Sequence, residues 1–409
     1  MSTSYGILST YPPTQCGLAT FSSALVESLR SPVDTVGVVD IVDSADSADS
    51  AGSAGSADRF DRFATADAPR AAEVCHQWVR GHEGGAEAAA ARLNGFDVVV
   101  VQHEYGIFGG PDGMDVLDVV RAVTRPVIVV LHTVLVTPTL RQKAILDELV
   151  LLSDIVVTMT QTAKERLIHH YSVSCTKVRV VPHGAVDGRV GGQATARLVG
   201  GQTAPRAAGQ GPIVLTWGLL GEGKGIEWGI AAMAQLRGIH PAPRYHVVGQ
   251  THPKVIERDG EAYRRALEAR ARDLGVDDVV TFDARYLETR ELARLVQEAD
   301  VILLPYDSRE QVTSGVLVEA VTAGKPVVST GFPHAVELLS SGAGLLVERQ
   351  NPEAIAAALR RVLTEPGLAA ALAAEADRLS PSLLWSAVAG QYRDLASLVL
   401  DSETVRFSA

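Results

Sequence analysis

The sequence predicts an α/β protein made of two doubly wound, Rossmann-like parallel-sheet domains in series, and three observations lead there. Short β-branched runs alternate with stretches of helical apolar spacing, the order of a parallel sheet covered by helices on both faces. The alternation lapses after residue 187 and begins afresh at Gly211. The chain has 409 residues, too many for one ordinary core and suited to two domains of about 150–200 residues each.

In the first half, strands are expected at 5–9, 33–42, 98–102, 127–131, 155–159 and 178–181, with helical stretches such as 20–29 and 73–93 between them. In the second half, strands are expected at 213–217, 244–248, 279–282, 301–304 and 326–329. Helices are expected there at 227–237, 261–274, 289–299, 315–323 and 352–363. The domains are therefore drawn at 1–187 and 211–378. Residues 188–210, rich in Gly, Gln, Ala and Thr without periodicity, read as a flexible linker. Residues 43–58 repeat Ser, Ala, Asp and Gly, and bury too little apolar area to offset the entropy of ordering, so they read as a loop within the first domain. A helical run is expected from 379 to 401.

Composition excludes several classes. Apolar residues are 46% and charged residues 21% of the chain, the mix of a globular protein. The net charge of −11 argues against broad contact with nucleic acid or an anionic membrane, since both need clustered Lys and Arg. Cys16, Cys75 and Cys175 form no metal-ligand pair and leave one thiol over in any disulfide scheme, so a cytoplasmic setting is expected. The first residues lack a basic region followed by an apolar core, and no apolar run approaches the ~18 residues of a membrane span. Neither export nor a transmembrane segment is expected. A dehydrogenase is disfavoured as well: the turn after the first strand, 10–19, holds one glycine where a dinucleotide turn has G-x-G-x-x-G.

The segment 301–329 carries the most chemistry. A buried strand feeds a loop, a helix and another strand, and Thr313-Ser314-Gly315 stands at the helix start. Unpaired N–H groups and the positive dipole end favour a phosphate there, and small residues let it approach. Glu319 follows one turn later, a position from which a carboxylate reaches a ribose diol; an ordinary N-cap with a surface Glu accounts for the same residues structurally. Lys224 lies among the glycines of 216–225, able to set a point charge on a diphosphate, or else to be a solvated lysine. His132 ends the strand at 127–131, on the sheet edge where doubly wound folds bind ligands, although a capping or core histidine fits the same place. Gln102-His103-Glu104-Tyr105 ends the preceding strand in the same way.

Residues 305–329, with Gly324-Lys325-Pro326-Val327-Val328, closely resemble the donor-binding signature of family 4 of the glycosyltransferases, the retaining, glycogen-synthase-like and mannosyltransferase-like enzymes. The stretch 216–225 resembles a second family segment. The resemblance implies the GT-B fold, two Rossmann-like domains facing across a cleft, the first binding the acceptor and the second the donor. It implies transfer of a hexose from a nucleoside-diphosphate sugar to a hydroxyl-bearing acceptor with retention, and neither metal nor separate cofactor. By the same resemblance Gly17, Gly218, Lys224, Gly249, Arg285, Tyr286, Thr313, Ser314, Gly315, Val316 and Glu319 hold the donor. The loop at Arg285 and Tyr286 takes the base by backbone contacts and stacking. His132, Lys224 and Gln311 serve the reacting centre, while His103, Glu104 and Tyr105 line the acceptor pocket or form a structural ion pair. Pro182-His183-Gly184 matches a family turn in which His183 is structural. The resemblance also implies that the helical run at 379–401 crosses back to the first domain, with Trp385 as an apolar anchor.

Two departures stand out. The family carries glutamates eight positions apart, whereas counting back from Glu319 lands on Gln311, with Glu310 beside it. Leu219 stands where the family has an Arg. These substitutions keep two rival functions open, a glycoside phosphorylase on the same scaffold and a nucleotide-sugar-binding protein with little catalysis.

Overall fold

The structure, a computed structural model, describes residues 2–43, 73–188, 210–287 and 289–408. Residues 44–58 of the expected loop and 189–209 of the expected linker lie outside them. The chain forms two compact units, one of Met1–Pro182 with Val388–Ala409 and the other of His183–Ala387.

The first unit holds β1 (Ser4–Ser9), α1 (Gly17–Leu29), β2 (Thr35–Val42), β3 (Glu73–Val79), α2 (Gly85–Leu93), β4 (Val98–His103), α3 (Val116–Ala122), β5 (Val127–Leu131), α4 (Leu140–Leu152), β6 (Ile155–Thr158), α5 (Gln161–Tyr171) and β7 (Val178–Val180). Its seven strands are all parallel in the order β3-β2-β1-β4-β5-β6-β7. One expectation fails here. Residues 73–93 were expected as one helix, but 73–79 form an edge strand beside β2 and only 85–93 are helical. Val74, Trp78 and Val79 are strand formers, and the alanine-rich tail that follows supplies the helical signal.

The second unit holds β8 (Ile213–Trp217), α6 (Ile226–Ala234), β9 (Arg244–Val248), α7 (Pro253–Asp259), α8 (Ala262–Asp273), β10 (Val280–Asp283), α9 (Thr289–Glu298), β11 (Val301–Leu304), α10 (Gly315–Thr322), β12 (Val327–Thr330), α11 (Pro333–Leu339), β13 (Gly344–Val347), α12 (Pro352–Thr364) and α13 (Leu368–Leu383). Its strands run parallel in the order β10-β9-β8-β11-β12-β13. The inner strands β8, β11 and β12 are buried on both faces, as covered parallel strands must be. Ile213, Leu215, Trp217, Ile302 and Leu304 enter one core. Val214, Val301 and Leu303 enter the other. The alternation follows from the two-residue period of a strand.

The last helix, α14 (Trp385–Ser408), starts later than the expected run, and Pro381 lies inside α13. Leu384 separates the two helices by bridging to Ala185, whose N–H bonds the Leu383 carbonyl at 2.8 Å. From Val388 onward the helix belongs to the first unit, where the Arg393 guanidinium donates to the Ser28 carbonyl at 2.7 Å.

Candidate functional site

Open parallel sheets bind ligands beyond the carboxyl ends of their strands, where the strand order reverses. In the second unit that point lies between β8 and β11. The loops leaving these strands pack backbone on backbone. Gly249, leaving β9 at φ +130°, abuts the Gly218 carbonyl so closely that no β-carbon fits, and Gly225, at φ +62°, abuts the Pro305 carbonyl in the same way. Only glycine meets both demands. Lys224, within this turn, holds its Nζ 4.2 Å from the centroid of the buried Tyr306 ring. Such a cation–π contact contributes about 0.5–2 kcal/mol. It fixes the ammonium without neutralising it, and Lys224 forms no salt bridge among the described residues.

The start of α10 is more elaborately built than the sequence indicates. Ser314 is the N-cap, its Oγ accepting from the Leu317 N–H at 3.3 Å. Its own N–H donates to Nδ1 of His334, the second residue of α11, at 2.8 Å. The N–H groups of Gly315 and Val316 then remain without a protein acceptor among the described residues, pointing from the positive end of the helix. His183 closes the other side. A β-carbon at Gly315 would stand 2.9 Å from its ring, which also packs on Trp385 with centroids 5.8 Å apart. Burial pushes the pKa of His183 down to about 4 and that of His334 to about 3, so both rings are neutral at pH 7. A neutral His334 is what Ser314 requires, since a protonated Nδ1 accepts nothing.

Glu319 lies four residues after Gly315 and so shares its helix face. Its Oε2 accepts the indole N–H of Trp217 at 3.2 Å, and desolvation raises its pKa to about 7. Gln311 donates its side-chain amide to the Thr313 carbonyl at 3.0 Å, bracing its own loop. The Arg285 guanidinium is held by Asp283 at 2.7 Å and Glu291 at 3.0 Å, and its charge is committed there. Tyr286 is exposed beside it. A cavity of about 250 Å³ opens next to this loop, lined by His246, Val248, Phe282, Asp283, Arg285 and Leu287 among others.

In the first unit the reversal lies between β1 and β4. His132, just past β5, bonds through Nε2 to Oε1 of the buried Gln102 at 2.8 Å, and Phe21 meets its ring edge-on at 4.8 Å. With a carbonyl oxygen as partner, Nε2 carries the proton. Gly17 begins α1 with open space around it, behind an N-cap formed by Cys16.

Two of the three expected acceptor residues, His103 and Tyr105, are buried. His103 is 0% exposed, its ring between Tyr105 and Phe108, and neither ring nitrogen has a partner among the described residues. It is a core residue held neutral by burial, with its pKa near 4, and does not line an open pocket. Tyr105 is buried too, its hydroxyl donating to the Gln142 carbonyl at 3.3 Å. The Glu104 carboxylate accepts from the Thr133 hydroxyl at 2.5 Å and from the Tyr105 N–H at 3.1 Å.

Three contacts had no sequence signal beyond residue type: His334 on Ser314, Trp217 on Glu319, and Arg264. The last is a 6% exposed guanidinium on α8 that donates to the Gly249 carbonyl at 2.5 Å. A proline-histidine pair at a helix start and an Arg on an amphipathic helix are too ordinary to single out.

Comparison with known proteins agrees with this fold. The structure of sucrose-phosphate synthase from Thermosynechococcus elongatus superposes with a TM-score of 0.71 at 20% identity, over 98% of this chain and all of that one. Anabaena HepE, in complex with UDP and glucose, superposes at 0.67 and 15% identity, over 97% and 99% of the two chains. The fold is therefore GT-B. Residues 211–365 match the family described as Glycosyl transferases group 1, so the second unit carries a domain of that family. A D-inositol 3-phosphate glycosyltransferase of Acidothermus cellulolyticus is 31% identical over 256 residues, 60% of this chain and 54% of the relative. Glycogen synthase of Mycobacterium tuberculosis is 27% identical over 58% of this chain and 52% of its own length. The chain thus aligns with about half the length of the curated relatives it matches. No helix among the described residues is long and apolar enough to cross a membrane.

Proposed function

We propose that this chain is a retaining hexosyltransferase that takes a hexose from a nucleoside-diphosphate sugar and delivers it to a hydroxyl-bearing acceptor. The observation that carries the reading is the start of α10. Two N–H groups stand open there behind a cap already completed by His334 and Ser314, in a domain of a glycosyltransferase family. The diphosphate accepts from Gly315 and Val316, with Thr313 and Ser314 shaping the approach and Lys224 supplying the positive charge. Gly218 and Gly249 admit the donor close to the backbone, and Gly17, with open space around it, is assigned to the diphosphate as well. Glu319 takes the ribose. The base lies at the Arg285–Tyr286 loop, where Tyr286 is exposed for stacking while Arg285 is ion-paired. Structures of HepE with UDP and glucose support the choice of donor class.

In the transfer, the bond from the anomeric carbon to the diphosphate oxygen breaks, and the acceptor oxygen bonds to that carbon from the same face. The acceptor proton passes to a diphosphate oxygen. Lys224 and the helix-start N–H groups stabilise the leaving group, with no metal assigned to the step, and His132 orients the sugar. Gln311 contributes no charge, and its amide steadies the loop that carries Thr313. Action in the cytoplasm belongs to the same reading, since three cysteines leave one over in any disulfide scheme.

The test is release of nucleoside diphosphate from a panel of sugar donors, with the anomeric configuration of the product read by NMR and the assay repeated with a chelator. Retention with chelator-insensitive turnover is expected. Turnover that requires inorganic phosphate would make the chain a phosphorylase, and tight donor binding without transfer or hydrolysis would make it a binding protein. His132→Ala is expected to lower kcat with little change in donor affinity, and a pure loss of affinity would remove His132 from the reacting centre.

A further inference from the structure

We propose that Trp217 is a positioning residue for donor recognition: its indole N–H clamps one oxygen of Glu319, so that the other meets the ribose diol of a bound nucleoside diphosphate. The inference rests on the donor reading above and adds a residue and a specificity to it.

Glu319 follows Gly315 by four residues, on the same face of α10. Helical Cα–Cβ bonds tilt toward the N-terminus, so its side chain leans back toward the helix start where the N–H groups of Gly315 and Val316 are open. Trp217 is the last residue of β8 and only 4% exposed, so its ring is fixed by the core it packs in. The bond from its Nε1 to Oε2 of Glu319, at 3.2 Å, ties that core to a partly exposed carboxylate. Oε1 has no protein partner among the described residues, and no salt bridge neutralises the group.

The choice of partner matters. An indole is a donor only and carries no charge. It selects one rotamer of Glu319 and leaves the carboxylate short of donors in a desolvated place, where an Arg would have neutralised it. A vicinal diol supplies the missing donors. Holding the carboxylate in place beforehand also spares the ordering cost that a free Glu meets on binding. Trp217 thus acts through Glu319 and touches no substrate.

The experiment measures affinity by calorimetry for UDP, GDP and ADP, then for the 2′-deoxy and 3′-deoxy forms of whichever binds. The wild type is expected to favour the ribose form by about tenfold, the worth of one hydrogen bond to a charged group. Trp217→Phe is expected to cut that preference to about twofold or less, while inorganic pyrophosphate binds both proteins alike because Lys224 and the α10 start are intact. Should Trp217→Phe fold poorly, replacing Trp217 with benzothienylalanine removes only the N–H and keeps the ring shape. A wild type indifferent to the ribose hydroxyls, or one that binds none of the three, would overturn the donor reading of Glu319 and this inference with it. A clear ribose preference that survives loss of the indole N–H would overturn this inference alone.

Discussion

The two sheets reverse at equivalent points yet finish them differently. Beyond β8 and β11 the work is done by backbone: glycines that abut carbonyls, a capped helix start and open N–H groups. Beyond β1, β4 and β5 it is done by side chains, with His132 on Gln102 and Glu104 on Thr133. A backbone-built site has fixed dipoles and no rotamers to order, which suits a diphosphate common to all donors. A side-chain-built site can be re-cut by substitution, which suits a ligand that differs between enzymes. Mutation should separate the two.

The largest effect is expected at Gly315. A valine there drives its side chain into the His183 ring, already 2.9 Å from where a β-carbon would stand, and shifts the helix start. Displacement of a binding group by about 1 Å costs on the order of 100-fold. Donor affinity, by calorimetry, should fall by that order, with about 1–3 kcal/mol lost in stability. Undiminished binding would show that the diphosphate lies elsewhere.

Lys224→Ala comes next. Losing a hydrogen bond to a charged group costs about 1.5–3 kcal/mol, roughly 10- to 100-fold in kcat/KM. Donor binding and turnover should fall together, since ground and transition states both carry the charge. Unchanged kinetics would leave Lys224 a bystander over Tyr306.

His334→Phe strands a buried N–H on Ser314 and should lower stability by about 1–3 kcal/mol while weakening donor binding. His334→Asn keeps an acceptor near the same place. Recovery of both quantities in the Asn variant identifies the hydrogen bond as the cause, and equal damage in both variants would point to ring packing instead.

The smallest effect at pH 7 is expected from His103→Leu, because its ring nitrogens have no partners to lose among the described residues. The change should be neutral or stabilising. Its pH dependence is the sharper readout. Burial holds the folded pKa near 4 against 6.5 for the free side chain. As pH falls below 6.5 the unfolded chain takes a proton that the folded one refuses, and wild-type stability declines until about pH 4. That decline is worth up to about 3 kcal/mol. Thermal melts at pH 7 and pH 5 should therefore show Leu gaining more at pH 5, and an equal gain at both would refute the neutral-core account of His103.

The fold was largely legible because its signals are local. Strands 127–131 and 301–304 are unbroken β-branched or leucine runs, 98–103 opens on four valines, and both faces of each are covered. Legibility failed at 73–79, where a short edge strand runs into an alanine-rich helix and the two periods blur. In the site, Thr313, Ser314, Gly315 and Lys224 announced themselves by residue type beside glycine and a helix start. His103 and Tyr105 misled because the end of a strand is also where the core closes: the sequence places a side chain at the sheet edge without saying whether it turns outward or inward.

Sequence alone determined the two-sheet architecture, the restart at Gly211 and the phosphate-suited start of α10, since periodicity and helix-end chemistry act over a few residues. Only the tertiary structure decided who completes that start. His334, twenty residues after Ser314, takes its N–H, and Trp217, 102 residues before Glu319, holds its carboxylate. A side chain's hydrogen-bond partner depends on which strands lie side by side, and that order is set by the packing of the whole sheet.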